Sequence, residues 1–502
     1  MKEEKLFHAI THLPDEMIEF ARENGLKQLR VRRRKRIALI AAVLAVIIVA
    51  TSVLLPHGGL SVIESTCLSA ATSEADSAVP KSLSVSKAVY PSQMLYPKSE
   101  DYLSQSGELD YNAYNNAYDQ WLDEKTEQRK KYSNTCLPTE FFKKTASEFL
   151  GGATSENVIY SPVNLYIALS AFAELTDNES REQILALLGY ESIEESRKSA
   201  SDVWNLSYQN DGVMTSVLAN SVWLNEDVSF VKKTMDILSS NYYTSSYKGE
   251  MGSKTLNDEL KNWLNEQTGG LLEDTAGSVE LDSRNILALA SSVYFQAEWD
   301  DEFLENKTEE GIFHTPTEDV KCSFMNTSSP SEYYWGENFS SVSRSFSYGG
   351  EMMFILPDED TDVQSLLNDE QVLRYIYNTS EYKNSKYITV NLSVAKFDVT
   401  SSIDLIDGLK NLGVTDIFNA EKSDFSPMTK DAQNIILSQA EHSARVMIDE
   451  KGCSGAAYTV LAAAGLGVPP EEEVNFVLNR PFMFVVKSSM GVPMFIGIIN
   501  TP

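Results

Sequence analysis

Residues 450–470 read EKGCSGAAYTVLAAAGLGVPP. After Lys451 no charge occurs until Glu471, and no proline interrupts the run from Gly452 to Val468. Small residues crowd it: Ala456, Ala457, Ala462, Ala463, Ala464 and Gly465. Such a stretch can be an exposed loop or can become a buried strand. Proline would block strand pairing, and a charge on a buried face would be costly. In a strand, alternate residues share a face. Cys453, Gly455, Ala457, Thr459, Leu461 and Ala463 then form one face, and all are small or apolar. Composition alone fits an Ala-rich core helix or an ordinary buried strand at least as well. The flanking sequence decides between these readings.

Glu450-Lys451-Gly452-Cys453-Ser454-Gly455-Ala456-Ala457 resembles the reactive-loop hinge of inhibitory serpins, with Cys453 where Thr or Ser is usual. The resemblance extends over roughly residues 137–502. Downstream, Asn479-Arg480-Pro481-Phe482-Met483-Phe484 is similar to the strand after the loop, and Phe495-Ile496-Gly497 through Pro502 to the family C-terminus. Upstream, Asn157-Val158-Ile159-Tyr160-Ser161-Pro162 is similar to a helix-entry motif. Ala297-Glu298-Trp299-Asp300-Asp301-Glu302-Phe303, with Thr308 and Phe313, is similar to the central tryptophan motif. Leu412-Gly413-Val414-Thr415-Asp416-Ile417-Phe418 is similar to another. The chain departs from the pattern at Leu175 and Ala297, where Gly is usual, and at Ala395, where Pro is usual. A few extra residues also separate Pro470 from Phe476.

The resemblance implies an α+β serpin fold. Helices would cluster around a large central mixed β-sheet, with further smaller sheets and an exposed reactive-centre loop at about 450–470. It implies a suicide, acyl-trapping inhibitor of serine proteases, with cysteine proteases as further targets, rather than an enzyme. The cleaved loop would insert into the central sheet as a new strand. Family spacing places the reactive bond at Leu466-Gly467. A Leu bait in an Ala-rich loop points to chymotrypsin-like or elastase-like proteases, whose specificity pockets are apolar. A shifted register would move the bait to Ala464 or Gly465. The resemblance further implies a polar shutter of Ser161, Asn164, Ser291 and His442, in which Asn and Ser stand exchanged relative to the usual positions. It implies a breach of Trp299, Lys396 and Glu450. The expected partner is a target protease held as a covalent acyl complex by a monomeric inhibitor. No cofactor and no metal are implied. A non-inhibitory carrier, chaperone or scaffold is the alternative.

Residues 37–55, IALIAAVLAVIIVATSVLL, are free of charge and long enough to span a bilayer as a helix. Arg30-Val31-Arg32-Arg33-Arg34-Lys35-Arg36 precedes them, and the positive-inside rule places that cluster in the cytoplasm. Residues 1–36 are therefore expected to be cytoplasmic, 37–55 a signal-anchor helix, 56–136 an extracellular stalk and 137–502 the serpin-like domain. The whole is expected to be a membrane-anchored, bacterial member with the inhibitor outside the cell. A cleaved signal peptide is the competing reading, although its positive region is long and no small-x-small site follows. Within the expected stalk, Tyr102 to Lys131 has Tyr114, Tyr118 and Trp121 at helical spacing, a face suited to docking on the main domain.

The formal net charge is -30. The first 36 residues hold ten Lys/Arg and six Asp/Glu, so the remainder is more acidic still. That body excludes a nucleic-acid partner, because phosphate binding needs clustered Lys and Arg. Cys67, Cys136, Cys322 and Cys453 lack metal-ligand spacing and are expected as free thiols, with a Cys67–Cys136 bridge as the alternative. Of five histidines, His8, His12 and His57 lie in or beside the membrane-proximal segments, leaving His314 and His442 for the domain. Gly452-Cys453-Ser454-Gly455-Ala456 narrowly misses a nucleophile elbow. HExxH, P-loop and GxGxxG motifs are absent.

Overall fold

Strand-forming runs rich in β-branched and aromatic residues pair into two sheets, in a computed structural model that describes residues 83–152, 154–270, 280–430, 435–453 and 470–502. In chain order the strands are β1 (Ser84–Ser86), β2 (Val158–Tyr160), β3 (Gln209–Asn210), β4 (Met214–Asn225), β5 (Thr244–Gly249) and β6 (Leu287–Glu298). Then follow β7 (Glu309–His314), β8 (Asp319–Trp335), β9 (Phe339–Ser345), β10 (Glu351–Pro357), β11 (Ser385–Ala395) and β12 (Phe397–Asp404). The last are β13 (Leu437–Ile448), β14 (Gly452–Cys453), β15 (Glu473–Leu478), β16 (Phe482–Lys487) and β17 (Pro493–Ile499).

The central sheet runs β1-β5-β4-β6-β14-β13-β12, with β3 paired to β4. It is mixed: β4 with β5 and β6 with β13 are parallel, and its other pairs are antiparallel. The second sheet runs β15-β11-β8-β9-β10-β16-β17-β2, with β7 on β8. The smaller sheets expected beside the central one thus run together as one. The cause is the 17-residue β8, whose Phe324–Tyr334 pair with β11 and whose end, Tyr333–Trp335, also pairs with β9.

Helices dominate the first half. They are α1 (Tyr111–Tyr132), α2 (Thr139–Leu150), α3 (Pro162–Ala173), α4 (Asn178–Leu188), α5 (Ile193–Ser207), α6 (Lys232–Asn241), α7 (Lys254–Gln267), α8 (Glu370–Tyr377) and α9 (Ile406–Asn411). Every residue of α3 is buried. A helix apolar on all sides belongs in the middle of a protein, and α3 lies between the two sheets, touching both β6 and β17. Ser161 caps its N-terminus through the Asn164 amide, and Pro162 takes the first turn, where its missing N–H costs nothing.

Residues 83–136, expected as part of a stalk, belong to the unit that spans Pro80–Pro502. β1 adds to the edge of the central sheet through β5. Asp110 caps α1, and Arg129, Lys130 and Lys131 complement the dipole at its other end. Trp121 is buried against Tyr96 at 5.2 Å and Tyr348 at 5.5 Å between ring centroids. Lys125 Nζ reaches the fully buried Asp211 at 2.9 Å. The helix expected within 102–131 is present as α1, and its Trp121 face docks on the body.

The expected segments 1–36, 37–55 and 56–82 lie outside the described residues. Among the described residues no helix is long and apolar enough to cross a membrane.

Candidate functional site

The upper part of the central sheet is split. β6 and β13 pair directly from Leu287–Leu437 to Ser292–Ser443. Beyond that point, no described pairing joins Val293–Gln296 to Ala444–Met447. At the top, β14 wedges between them: Gly452 faces Glu298, and Cys453 faces Ala297 on one side and Ile448 on the other. The first two small residues of the 450–470 run are therefore seated at the mouth of a four-residue gap.

The turn that delivers β14 is built by its own polar groups. Asp449 accepts from the Lys451 and Gly452 amides through Oδ1, and its amide donates to the Gly452 carbonyl. Gly452 is required by space. A Cβ there would lie 2.2 Å from the Ala297 carbonyl oxygen and 2.9 Å from Glu298 Cα. Cys453 is buried, and its thiol is pushed up to about 12, chiefly by burial and then by the Asp449 charge. It stays protonated and acts as a small apolar residue.

Above the gap, Trp299 bonds the turn twice: its amide donates to the Lys451 carbonyl and its indole Nε1 to the Asp449 carbonyl, both at 2.9 Å. Its ring stacks on Phe346 at 5.0 Å. Lys396 Nζ meets Glu450 Oε1 at 2.6 Å, and Thr308 Oγ1 donates to the same oxygen at 2.6 Å. Burial pushes the Glu450 carboxyl up, but the bonds from Lys396 and Thr308 outweigh it and hold the carboxyl below its ordinary value. The predicted residues Trp299, Lys396 and Glu450 are thus brought together, and the Phe303 amide adds a bond to the Glu450 carbonyl.

Below the gap sits a buried polar cluster, a latch between the central sheet and α3. Asn164 Nδ2 donates to Ser291 Oγ at 2.6 Å and to the Ser292 carbonyl at 2.9 Å. The Ser161 amide donates to His442 Nε2 at 3.1 Å. The neutral ring therefore carries its proton on Nδ1, which reaches Ser291 Oγ at 3.3 Å. All four predicted residues are at most 1% exposed. Burial lowers the His442 pKa to about 4, which keeps the ring neutral.

Two members escaped sequence reasoning. Asn220 of β4 donates from Nδ2 to Asn164 Oδ1 at 3.1 Å, and Tyr160 packs edge-on to His442 at 5.5 Å. The cluster thereby ties β4, β6 and β13 to α3. Asn220 carries no local signal, because only the β4–β6 register, Asn220 opposite Ser291, brings it there. Ser454, Gly455, Ala456 and Ala457 of the hinge, and the expected reactive bond Leu466-Gly467, lie outside the described residues. Cys136, Cys322 and Cys453 are free thiols, and Cys67 lies outside the described residues. Among the described residues no group of His, Cys, Asp and Glu is placed to hold a metal ion.

The family profile described as serpin (serine protease inhibitor) matches residues 133–502. This chain belongs to the serpin family. The serpin body is 27% identical over 375 residues to Serpin-ZX of Arabidopsis thaliana, covering 69% of this chain and 93% of that relative. It is 26% identical over 357 residues to the human (Homo sapiens) leukocyte elastase inhibitor, with the same coverage. Among solved structures it is similar to the thermophilic serpin tengpin in its native state, with 26% identity and a TM-score of 0.65, covering 74% of this chain and 94% of that one. Serpins are generally protease inhibitors rather than catalytic enzymes. Their central sheet and mixed-sheet architecture are the ones described above.

Proposed function

We propose that this serpin is a suicide inhibitor of serine proteases, and by the same chemistry of cysteine proteases, with chymotrypsin-like or elastase-like specificity. The observation that carries the reading is the four-residue gap between β6 and β13 with Gly452–Cys453 at its mouth. The protease nucleophile attacks the Leu466 carbonyl, the Leu466–Gly467 peptide bond breaks, and the Gly467 amine leaves with a proton. The acyl bond to Leu466 persists while the hinge zips into the gap. Insertion has to outrun hydrolysis of that bond. A small, uncharged hinge favours insertion, because no inward residue carries a charge into the sheet. A leukocyte elastase inhibitor among the relatives supports an apolar bait specificity.

The same reading places the inhibitor on the outer face of the cell membrane, held as a monomer by the single helix 37–55. Its support is the charge-free run and the basic cluster before it. Incubation with elastase-like and chymotrypsin-like proteases should give a covalent complex stable to boiling in detergent, and mass mapping of the released peptide should place the cut after Leu466. Absence of any stable complex, with no rise in Tm after loop cleavage, would instead support a carrier or scaffold role. Protease shaving of intact cells should remove the ectodomain and leave residues 1–36 protected.

A further inference from the structure

A cavity of about 230 Å³ lies between α1 and the body of the molecule, away from the gap and the latch. One wall comes from α1, which precedes the residues 133–502 that the family profile matches. The other walls come from the end of α5, the turn between β9 and β10, and the turn between β16 and β17. Trp121 and Tyr348 form an aromatic flank. Gln209 and Ser489 bond each other on another side, which leaves them satisfied.

Two features give the cavity a chemical preference. Its lining includes two cations, Lys125 and Arg129, and no carboxylate, in a chain of net charge -30. Lys125 is neutralised by Asp211, whereas the Arg129 guanidinium bonds no described residue. Arg129 Nη2 lies 3.3 Å from where a Cβ on Gly349 would stand, so the bare glycine at φ +108° leaves it room against the turn.

We infer that this cavity binds a small aromatic carboxylate, with its ring against Trp121 and Tyr348 and its charge toward Arg129. The volume is below the roughly 300–1,000 Å³ of sites for drug-sized ligands, so a single ring fits and a larger cofactor does not. A guanidinium offers a carboxylate paired donors, and a neutral amide cannot use them in the same way.

The test is calorimetric titration of the full chain with 4-hydroxyphenylacetate and, separately, with its neutral amide. The expected result is saturable one-to-one binding of the acid, at least about tenfold weaker binding of the amide, and a similar loss in Arg129→Gln. Arg129 is exposed, so that variant should fold normally. No saturation up to about 10 mM acid, equal binding of the amide, or undiminished binding by Arg129→Gln would each overturn the assignment.

Discussion

Asn164 Nδ2 donates to Ser291 Oγ across 2.6 Å, joining α3 to the middle of β6 immediately below the point where β6 parts from β13. Both residues are buried, and on the sequence resemblance Asn and Ser stand exchanged relative to their usual positions.

Changing one partner alone breaks that pair. Asn164→Ser is too short to serve Ser291, Ser292 and Asn220 together, and Ser291→Asn crowds the same space with a second amide. Each unpaired buried group costs roughly 1–3 kcal/mol. Either single variant should convert faster to latent or polymeric forms on native gels. The double exchange restores the set of donors and acceptors and should recover much of the lost half-life. A double variant no better than the sum of its singles would show the positions to be uncoupled.

Gly452→Ala places a methyl 2.2 Å from the Ala297 carbonyl oxygen, with backbone rather than a flexible side chain in the way. The turn has to move out from between β6 and β13, so insertion starts later. The protein should still be cleaved by its protease, but more of it should be consumed as substrate for each protease trapped. Titration of residual protease activity measures that ratio, and an unchanged ratio would contradict the role given to β14.

Acidification should loosen the latch through His442. Its folded pKa of about 4 lies below the ordinary value of 6.5. Between those values the unfolded chain takes up a proton that the folded chain refuses. Stability therefore falls as pH drops from 6.5 toward 4, by ~3 kcal/mol, and this contribution levels off below 4. Protonated Nε2 would also face the Ser161 N–H, donor against donor. Urea midpoints at pH 7 and 4.5 should differ more for the parent than for His442→Gln, which has no titration in that window.

Lys125→Met should destabilise the junction between α1 and the body. It leaves Asp211, fully buried, without its cation. Breaking a buried pair from one side costs roughly 3–5 kcal/mol. Lys125→Met combined with Asp211→Asn removes the stranded charge and should recover part of the loss in Tm. Equal melting of the single and double variants would mean that the pair contributes no specific coupling.

The family and the α+β class were legible because their motifs are carried by contiguous residues. The charge-free run after Lys451, the motif around Trp299 and the strand Phe482–Lys487 each constrain one local stretch of backbone. Ser161, Asn164, Ser291 and His442 were found through such motifs, as were Lys396 and Glu450, and the structure brings each group together. Their functional roles rest on the proposed mechanism.

What sequence by itself determined, then, was the family, the α+β class and the helix within residues 102–131. Periodicity and composition act over a few residues, and those properties are local. Tertiary structure alone decided that Asn220 completes the latch, that residues 83–136 belong to the body, and that β8 joins the remaining strands into one sheet. Tyr96, Trp121 and Tyr348 pack together from positions more than two hundred residues apart at the extremes. Asn220 meets Ser291 only through strand register. Such contacts follow from pairing and packing between distant segments, which no local pattern of residues encodes.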